Sequence, residues 1–402
     1  MLRASCPTVP PHGIYLDYQA STPVDPAVLE AMLPWWHLPG VGNAHSHEHA
    51  FGWRASHAID NARRQLAKLI DADSEDIIFT SGATESNNLA IFGVVAANQL
   101  KRRTILVTAV EHASILGPAA EIANRAHRCE VLPVDKDGRL NRAALLQHLT
   151  EDVLIVSVGA VNNEIGTIQD ISWIAEQCHK AGALLHTDAA QALTADIVSV
   201  QRWGVDFASF SSHKAYGPQG VGALYVAPGM SSRIRPLAFG GGQQLGMRPG
   251  TLPTALCVGF GAACDILRES GSAERVRIAG LRDQLVSLLT KKVSGAALNG
   301  SRTHRHPGNA NIQFPGIEVT DLIQRVQPRI AVSSGSACHS GSDQPSHVLR
   351  AIGLDSDAAR CSIRLGVGRF TTVNDVDEAV AALVPEILQS QNRFLPKAIS
   401  SP

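Results

Sequence analysis

Lys214 stands in the run Ser211-Ser212-His213-Lys214, about a strand and a turn downstream of His186-Thr187-Asp188-Ala189-Ala190-Gln191. A lysine able to form an imine, an aspartate able to pair with a protonated ring nitrogen, and hydroxyl and imidazole groups beside the lysine together describe a site for pyridoxal 5′-phosphate (PLP). That cofactor is an electron sink only while its pyridine nitrogen stays protonated, which is the task of the aspartate. The lysine becomes nucleophilic near neutral pH when it is desolvated or flanked by cationic groups. The phosphate needs a cradle. Thr80-Ser81-Gly82-Ala83-Thr84-Glu85-Ser86 follows a strand-like run and opens a helical one, where amides and hydroxyls bind an anion without a lysine. Each piece alone is bland: the turn resembles many others, Asp188 reads as a helix N-cap, and most lysines are solvated. Their agreement points to chemistry.

A second reactive group is Cys338, in Ser333-Ser334-Gly335-Ser336-Ala337-Cys338-His339-Ser340. This stretch is too polar and too rich in small residues for a core segment, so it predicts an exposed, mobile loop. Cys129, Cys178, Cys257, Cys264 and Cys361 read instead as buried, inert thiols. A thiol of ordinary pKa is only a few per cent thiolate at neutral pH, so His339 or the cofactor region would assist ionisation of Cys338.

Elements at the right spacing exist to hold these groups. Strands are predicted at Asp76–Thr80, Thr104–Thr108, Glu130–Val134, Val153–Ser157, Ala183–Thr187, Asp206–Phe210 and Val221–Tyr225. Helices are predicted at Ser86–Asn98, Ser114–His127, Asn141–Leu149 and Ser172–Ala181. Such alternation argues for right-handed crossovers and an α/β fold with a mostly parallel sheet, and it puts Asp188 at the carboxyl edge where ligands bind. After Gly240-Gly241-Gly242 the rhythm changes. Helices at Leu252–Glu269, Ala273–Val293 and Val373–Leu388, with strands at Asn309–Phe314, Ile330–Ser333 and Cys361–Leu365, predict a smaller α+β domain.

With 402 residues, 45% hydrophobic and 18% charged, the chain is an ordinary globular enzyme by composition and long enough for two domains. The division expected is 20–264 for the large domain, and 1–19 with 265–402 for the small one. A formal net charge of −1 gives no general attraction to nucleic acid or anionic membranes. No apolar run reaches membrane-spanning length, and Met1–Gly13 reads as neither signal nor transit peptide. Seven scattered cysteines without a CxxC pair exclude a disulfide framework and fit a reducing cytoplasm. His45, His47 and His49 alternate but lack partners that would complete a metal site, so no metal is expected. His304 and His306, before Pro307, read as a solvated turn.

The same motifs, with Leu16-Asp17-Tyr18, Gly42-Asn43 leading to His49, Glu111-His112, Asn162-Asn163-Glu164-Ile165-Gly166, Tyr216-Gly217-Pro218, Gly240–Gln243 and Arg248-Pro249-Gly250-Thr251, closely resemble the NifS/IscS cysteine desulfurases. These are class V aminotransferase enzymes of PLP-dependent fold type I, built on a seven-stranded, mostly parallel sheet. The resemblance runs from about Ile14 to about Val380. It implies that Lys214 carries the cofactor, Asp188 pairs with the pyridine nitrogen, Gln191 donates to the phenolate oxygen and Asn163 lies nearby. His112 would stack on the ring and serve in proton transfer. Ala83, Thr84, Ser211 and His213 would hold the phosphate, joined by Thr251 from the neighbouring subunit of a homodimer. Arg364, helped by Asn43, would bind the carboxylate of L-cysteine. Cys338 would take the sulfur as a persulfide for an acceptor protein, with iron–sulfur cluster assembly among the uses.

Two departures stand out. Ser212 replaces a frequent glycine, and Cys338-His339-Ser340 followed by Asp343-Gln344-Pro345-Ser346 is similar to the loop of selenocysteine lyases. The short C-terminus also lacks the extension that iron–sulfur desulfurases use to dock their scaffold. Selenocysteine lyase is therefore the near alternative. An aminotransferase of the same fold and a non-catalytic partner subunit are more distant ones.

Overall fold

The computed structural model describes residues 13–98, 102–125, 127–334 and 344–394. The chain opens with β1 (Ile14–Tyr15), α1 (Pro26–Met32) and the long helix α2 (Ala50–Ile70). Strands and helices then alternate: β2 (Ile77–Thr80), α3 (Ala83–Ala97), β3 (Thr104–Thr108), α4 (Ala113–Ala123), β4 (Arg128–Leu132), α5 (Arg142–His148), β5 (Val153–Gly159), α6 (Ile171–Lys180), β6 (Leu184–Asp188), α7 (Val200–Trp203), β7 (Phe207–Ser211) and β8 (Gly222–Val226). The rest comprises α8 (Thr254–Lys292), β9 (Ala297–Leu298), β10 (Asn309–Gln313), α9 (Val319–Val326), β11 (Ile330–Ala331), α10 (His347–Ala351), α11 (Ser356–Arg360), β12 (Ser362–Gly366) and α12 (Val373–Phe394).

Seven strands form the main sheet in the order β2-β8-β7-β6-β5-β3-β4. Only β8 runs against its neighbours; every other pairing is parallel. This is the expected α/β architecture. Side chains alternate between the two faces, because successive Cβ atoms along a strand point opposite ways. Ile105, Val107, Leu184 and Phe207 pack under α3 and α4, with Leu89 and Ile115. Leu106, Leu185 and Phe210 pack on the other face with Ile59 and Leu66 of α2, Ile174 of α6 and Phe260 of α8.

A second apolar cluster joins the two ends of the chain. Ile14 of β1 pairs in parallel with Ile330 of β11, and with Leu16 it packs against Leu285, Phe314, Ile363 and Leu383. The antiparallel strands β12-β10-β9 lie in this cluster. Helix α8 connects the two regions, since Phe260 and Leu267 belong to the sheet's core while Ile278 to Leu289 belong to the second cluster.

Three expectations need correction. The helices expected at Leu252–Glu269 and Ala273–Val293 are one continuous helix of 39 residues. Ser270-Gly271-Ser272 looks like a break because glycine costs about 1 kcal/mol in a helix. Here Gly271 is buried, and packed positions before and after it outweigh that preference. Strand β4 begins two residues earlier than expected, at Arg128. Finally, His304 is exposed as expected, but His306 is 5% exposed: its Nδ1 accepts from Gly308 N at 2.9 Å and its Nε2 lies 3.1 Å from Thr194 Oγ1.

Burial, with the charges of Arg282 and Arg305 nearby, pushes His306 down to about 3. Unfolded His306 takes up a proton near its ordinary value of 6.5, whereas the folded imidazole stays neutral until about 3. Its contribution to stability is therefore complete above pH ~6.5 and falls as the pH drops through that window. The slope is about 1.4 kcal/mol per pH unit for one proton. His306→Gln should flatten the loss of stability between neutral and mildly acid pH by that amount. Parallel denaturation series would check it; equal slopes for the two proteins would contradict the assignment.

Candidate active site

The parallel strands point their carboxyl ends at one cavity of about 520 Å³. Ala83, Thr84, His112, Asn163, Asp188, Gln191, Ser211, His213, Lys214 and Arg364 all line it. All but Arg364 lie at or after the ends of β2, β3, β5, β6 and β7, so one sheet edge gathers groups far apart in sequence, and Arg364 joins them from the middle of β12 in the three-stranded sheet.

The anion cradle is backbone. Gly82 caps α3 with φ +153°, a conformation that favours glycine, and no side chain caps the helix. The first-turn amides of Ala83 and Thr84 therefore have no acceptor within their own helix. Gly222 makes room behind the turn, since a Cβ there would sit 2.6 Å from Gly82 Cα. Thr80 Oγ1 lies 2.8 Å from Ser86 Oγ and braces the turn. Glu85 accepts from Ser81 N at 2.6 Å and from Arg248 Nε at 2.9 Å. Burial pushes Glu85 up, but these donors outweigh it and hold it below the ordinary carboxyl value. Opposite the turn, burial and the adjacent Lys214 push His213 down to about 4, which leaves a neutral imidazole at physiological pH.

Lys214 leaves β7 in a single turn of 3-10 helix, Ser212–Lys214. Its Nζ donates to Gln19 O at 2.6 Å and Ala20 O at 2.7 Å. The segment carrying those carbonyls is tied to the lysine turn: Thr22 N donates to His213 O at 2.9 Å and Tyr216 N to Thr22 Oγ1 at 2.8 Å. Tyr216 takes φ +63°, unusual for a residue with a Cβ, and so stores strain two positions from the lysine. The Ser212 hydroxyl fits because Gly217 has no side chain; a Cβ there would meet it at 2.1 Å.

Asp188 sits at the end of β6, with Oδ1 accepting from Ala190 N at 3.0 Å and Oδ2 from Asn87 Nδ2 at 2.7 Å. The bland reading, an N-cap, does not apply, because no helix begins there. Gln191 donates its Nε2 to Gln19 O at 2.8 Å. Arg364, 2% exposed, donates to Asp17 Oδ1 at 2.7 Å and to Asn163 O at 3.1 Å. Asn162 fixes the turn that presents Asn163, its Oδ1 accepting from Glu164 N and Ile165 N at 2.9 Å each.

Asn43 and Thr251 are exposed and do not line this cavity. Cys338 and His339 lie outside the described residues. Among the described residues no group of histidine, cysteine and carboxylate side chains could hold a metal. His49 instead caps α2, its Nδ1 accepting from Gly52 N at 3.1 Å.

Sequence reasoning assigned no role to several residues at the site. Asn87, Ser114, Gln19 and Asp17 hold the residues it did identify. Glu111 lies beside Asp188 in the cavity wall, accepting from Thr108 Oγ1 at 2.6 Å and Gly159 N at 2.9 Å. Burial pushes its carboxyl up to about 7 despite those two donors. The buried Gln19 Oε1, also in the wall, has no hydrogen-bond partner among the described residues. A backbone anion cradle, a lysine, an aspartate at a strand end and a buried polar atom without a partner fit PLP in size and donor chemistry.

Comparison with known proteins agrees with this geometry. The family model described as "Aminotransferase class-V" matches residues 14–379. Cysteine desulfurase IscS of Rickettsia rickettsii (strain Iowa) is 43% identical over 374 residues, which cover 93% of this chain and 91% of that protein. A solved NifS-like protein superposes with a TM-score of 0.87 at 33% identity, covering 94% of this chain and 99% of its own. SspA, solved in complex with cysteine, gives 0.78 at 31%, covering 89% and 99%. The chain belongs to the class V aminotransferase family, within the PLP-dependent relatives that include the NifS- and IscS-type proteins.

Proposed function

We propose that this protein is a PLP-dependent cysteine desulfurase that converts L-cysteine to L-alanine and transfers the sulfur, as a persulfide on Cys338, to an acceptor protein. The observation that carries the proposal is the meeting of Lys214, Asp188, His112, Gln191 and Arg364 in one cavity of a chain 43% identical to a desulfurase. PLP, when bound, supplies the electron sink at the substrate Cα. Ala83, Thr84, Ser211 and His213 would hold its phosphate, and Asp188 would keep the ring nitrogen protonated. Gln191, Asn163 and His112 would hold the ring in the cavity they line. Arg364 grips the substrate carboxylate, for which a planar fork is suited. Lys214 anchors the cofactor and moves protons at Cα. The Cys338 thiolate attacks the substrate sulfur: an S–S bond forms, the C–S bond breaks, and its electron pair with a proton completes alanine. Cysteine and thiol in, alanine and persulfide out, the step needs no external oxidant.

Several broader features follow from the same reading. The division into 20–264 against 1–19 with 265–402 is supported by the two apolar clusters. A homodimer is supported by exposed Phe239 (89%) and Leu245 (97%) in the stretch leading to Thr251, which would then reach the neighbour's phosphate. Among the described residues no helix is long and apolar enough to cross a membrane. Unpaired Cys129, Cys178, Cys257, Cys264 and Cys361 suit a reducing cytoplasm. Iron–sulfur assembly is one route for the sulfur. The loop at Cys338–Ser346 keeps selenocysteine lyase as the second reading, separated by the Cys338 variant discussed below.

Asp188→Asn tests the cofactor assignment directly. The phosphate cradle and Lys214 still hold PLP, so the variant should purify yellow. Turnover of L-cysteine should fall on the order of 100-fold or more, the scale for removing one electrostatic partner of developing charge. Near-normal sulfide and alanine production would remove Asp188 from the mechanism.

A further inference from the structure

Two residues without a role in the reaction so far, Asn87 and Ser114, connect Asp188 to His112. Asn87 is buried in α3, and Ser114 lies in the first turn of α4, which His112 caps. Asn87 Nδ2 donates to Asp188 Oδ2 at 2.7 Å and to Ser114 Oγ at 2.8 Å. Ser114 Oγ lies 2.7 Å from His112 Nδ1, and Ser114 N donates to that same nitrogen at 3.1 Å.

We infer that Asn87 and Ser114 are positioning residues that lock His112 as the neutral imidazole protonated at Nε2, so that His112 acts as a hydrogen-bond donor rather than as the base that removes the substrate proton. The inference deepens the desulfurase reading above and rests on it for the identity of the reaction. The bond directions start from the backbone, since an N–H can only donate, and the two side chains add a second donor to the same nitrogen. Ser114 N therefore requires a lone pair on His112 Nδ1, and the ring proton falls on Nε2. The serine hydroxyl must donate to Nδ1 as well, which leaves its oxygen to accept from Asn87. The other Asn87 N–H then meets the Asp188 carboxylate. Turning the Asn87 amide over would set its carbonyl against that carboxylate, acceptor to acceptor. The orientation is kept even though the buried Asn87 Oδ1 has no partner among the described residues, so the Asp188 contact decides it.

Protonating Nδ1 would put an N–H against the fixed Ser114 N–H and would force the Ser114 hydroxyl to turn its own proton away. Forming an imidazolium is thereby opposed, and a neutral ring whose remaining nitrogen already carries a proton cannot accept another at that atom. A neutral histidine in this state polarises what it faces and stabilises developing negative charge. The proton leaving Cα then passes to Lys214, whose amine shares the cavity.

The test reads the tautomer itself. Holoenzyme labelled with ¹⁵N-histidine is examined by long-range ¹H–¹⁵N spectroscopy, with His112→Gln identifying the signal. The expected result is the Nε2-protonated neutral form throughout the pH range of turnover. Ser114→Ala keeps the backbone donor but removes the hydroxyl, and Asn87→Ala frees that hydroxyl to turn and accept from Nδ1. Each should let the second tautomer appear in part beside the first and lower kcat on the order of 10- to 100-fold with KM for L-cysteine unchanged. Ser114→Thr, which keeps the hydroxyl, should restore both readouts. An Nδ1-protonated or imidazolium signal in the wild type overturns the inference, as do variant spectra that match the wild type. Failure of the desulfurase reading would appear separately, as absent cysteine turnover with the tautomer intact.

Discussion

Lys214→Ala should purify without covalently held cofactor and turn over no L-cysteine, a loss on the order of 10,000-fold or more for a residue of this kind. Among the described residues Lys214 is the one lysine in the cavity wall. Its ammonium is held by the carbonyls of Gln19 and Ala20, on a segment pinned to the lysine turn through Thr22 and Tyr216. The same segment receives Gln191, so the lysine and the Gln191 amide are set by one piece of chain. Among the described residues no other lysine lines the cavity, so none is placed to substitute. The backbone cradle at Gly82–Thr84 does not depend on Lys214, so loosely bound PLP should remain and dialyse away. The measurements are the absorbance of the purified variant and borohydride reduction followed by peptide mass mapping. Reductive labelling of the variant at another lysine would place the cofactor elsewhere.

The frame of this site was legible because it repeats a rule. Strand, turn and helix alternate, each turn lies at the sheet's carboxyl edge, and hydroxyls, a lysine and an aspartate fall in those turns. Ser211–Lys214, Asp188 and Gly82–Thr84 could be named for that reason. Asn87 could not, because in sequence it is one polar residue within an apolar helix, and only the packing of α3 onto β6 turns it toward Asp188. Asp17 is hidden in the same way: its partner Arg364 is 347 positions away. Helix α2 was missed although Ala55, Ile59, Ala62, Leu66 and Ile70 recur at helical spacing. Its cap is a histidine, not the usual serine or aspartate, and the alternating His45, His47 and His49 drew attention to a metal instead. His306 misled for the opposite reason. A polar residue before proline looks like a surface turn until Thr194 and Gly308 arrive to satisfy it.

Cys338→Ala should abolish sulfide and protein persulfide from L-cysteine while leaving cofactor and substrate binding intact. The described residues on either side of the segment that carries Cys338 are bonded to Arg364 and Glu111 of the cavity wall. Ser333 exchanges backbone hydrogen bonds with Arg364, at 2.8 and 3.3 Å, and Ser346 caps α10, whose first residue, His347, lies 3.0 Å from Glu111 O through its Nε2. Neither tether needs the thiol, so the variant should fold, hold PLP and show the same spectral change on adding L-cysteine. What it lacks is an acceptor for sulfur. A thiolate is a poor leaving group from carbon, and without a nucleophile to take the sulfur as S–S the C–S bond has no route to break. Selenium leaves more readily, so some selenide release from selenocysteine should survive in the variant. A wild type that releases selenide but not sulfide would establish the selenocysteine lyase reading instead. Sulfide production undiminished in Cys338→Ala would sink both, because each assigns the loop to chalcogen transfer and an aminotransferase makes no use of it.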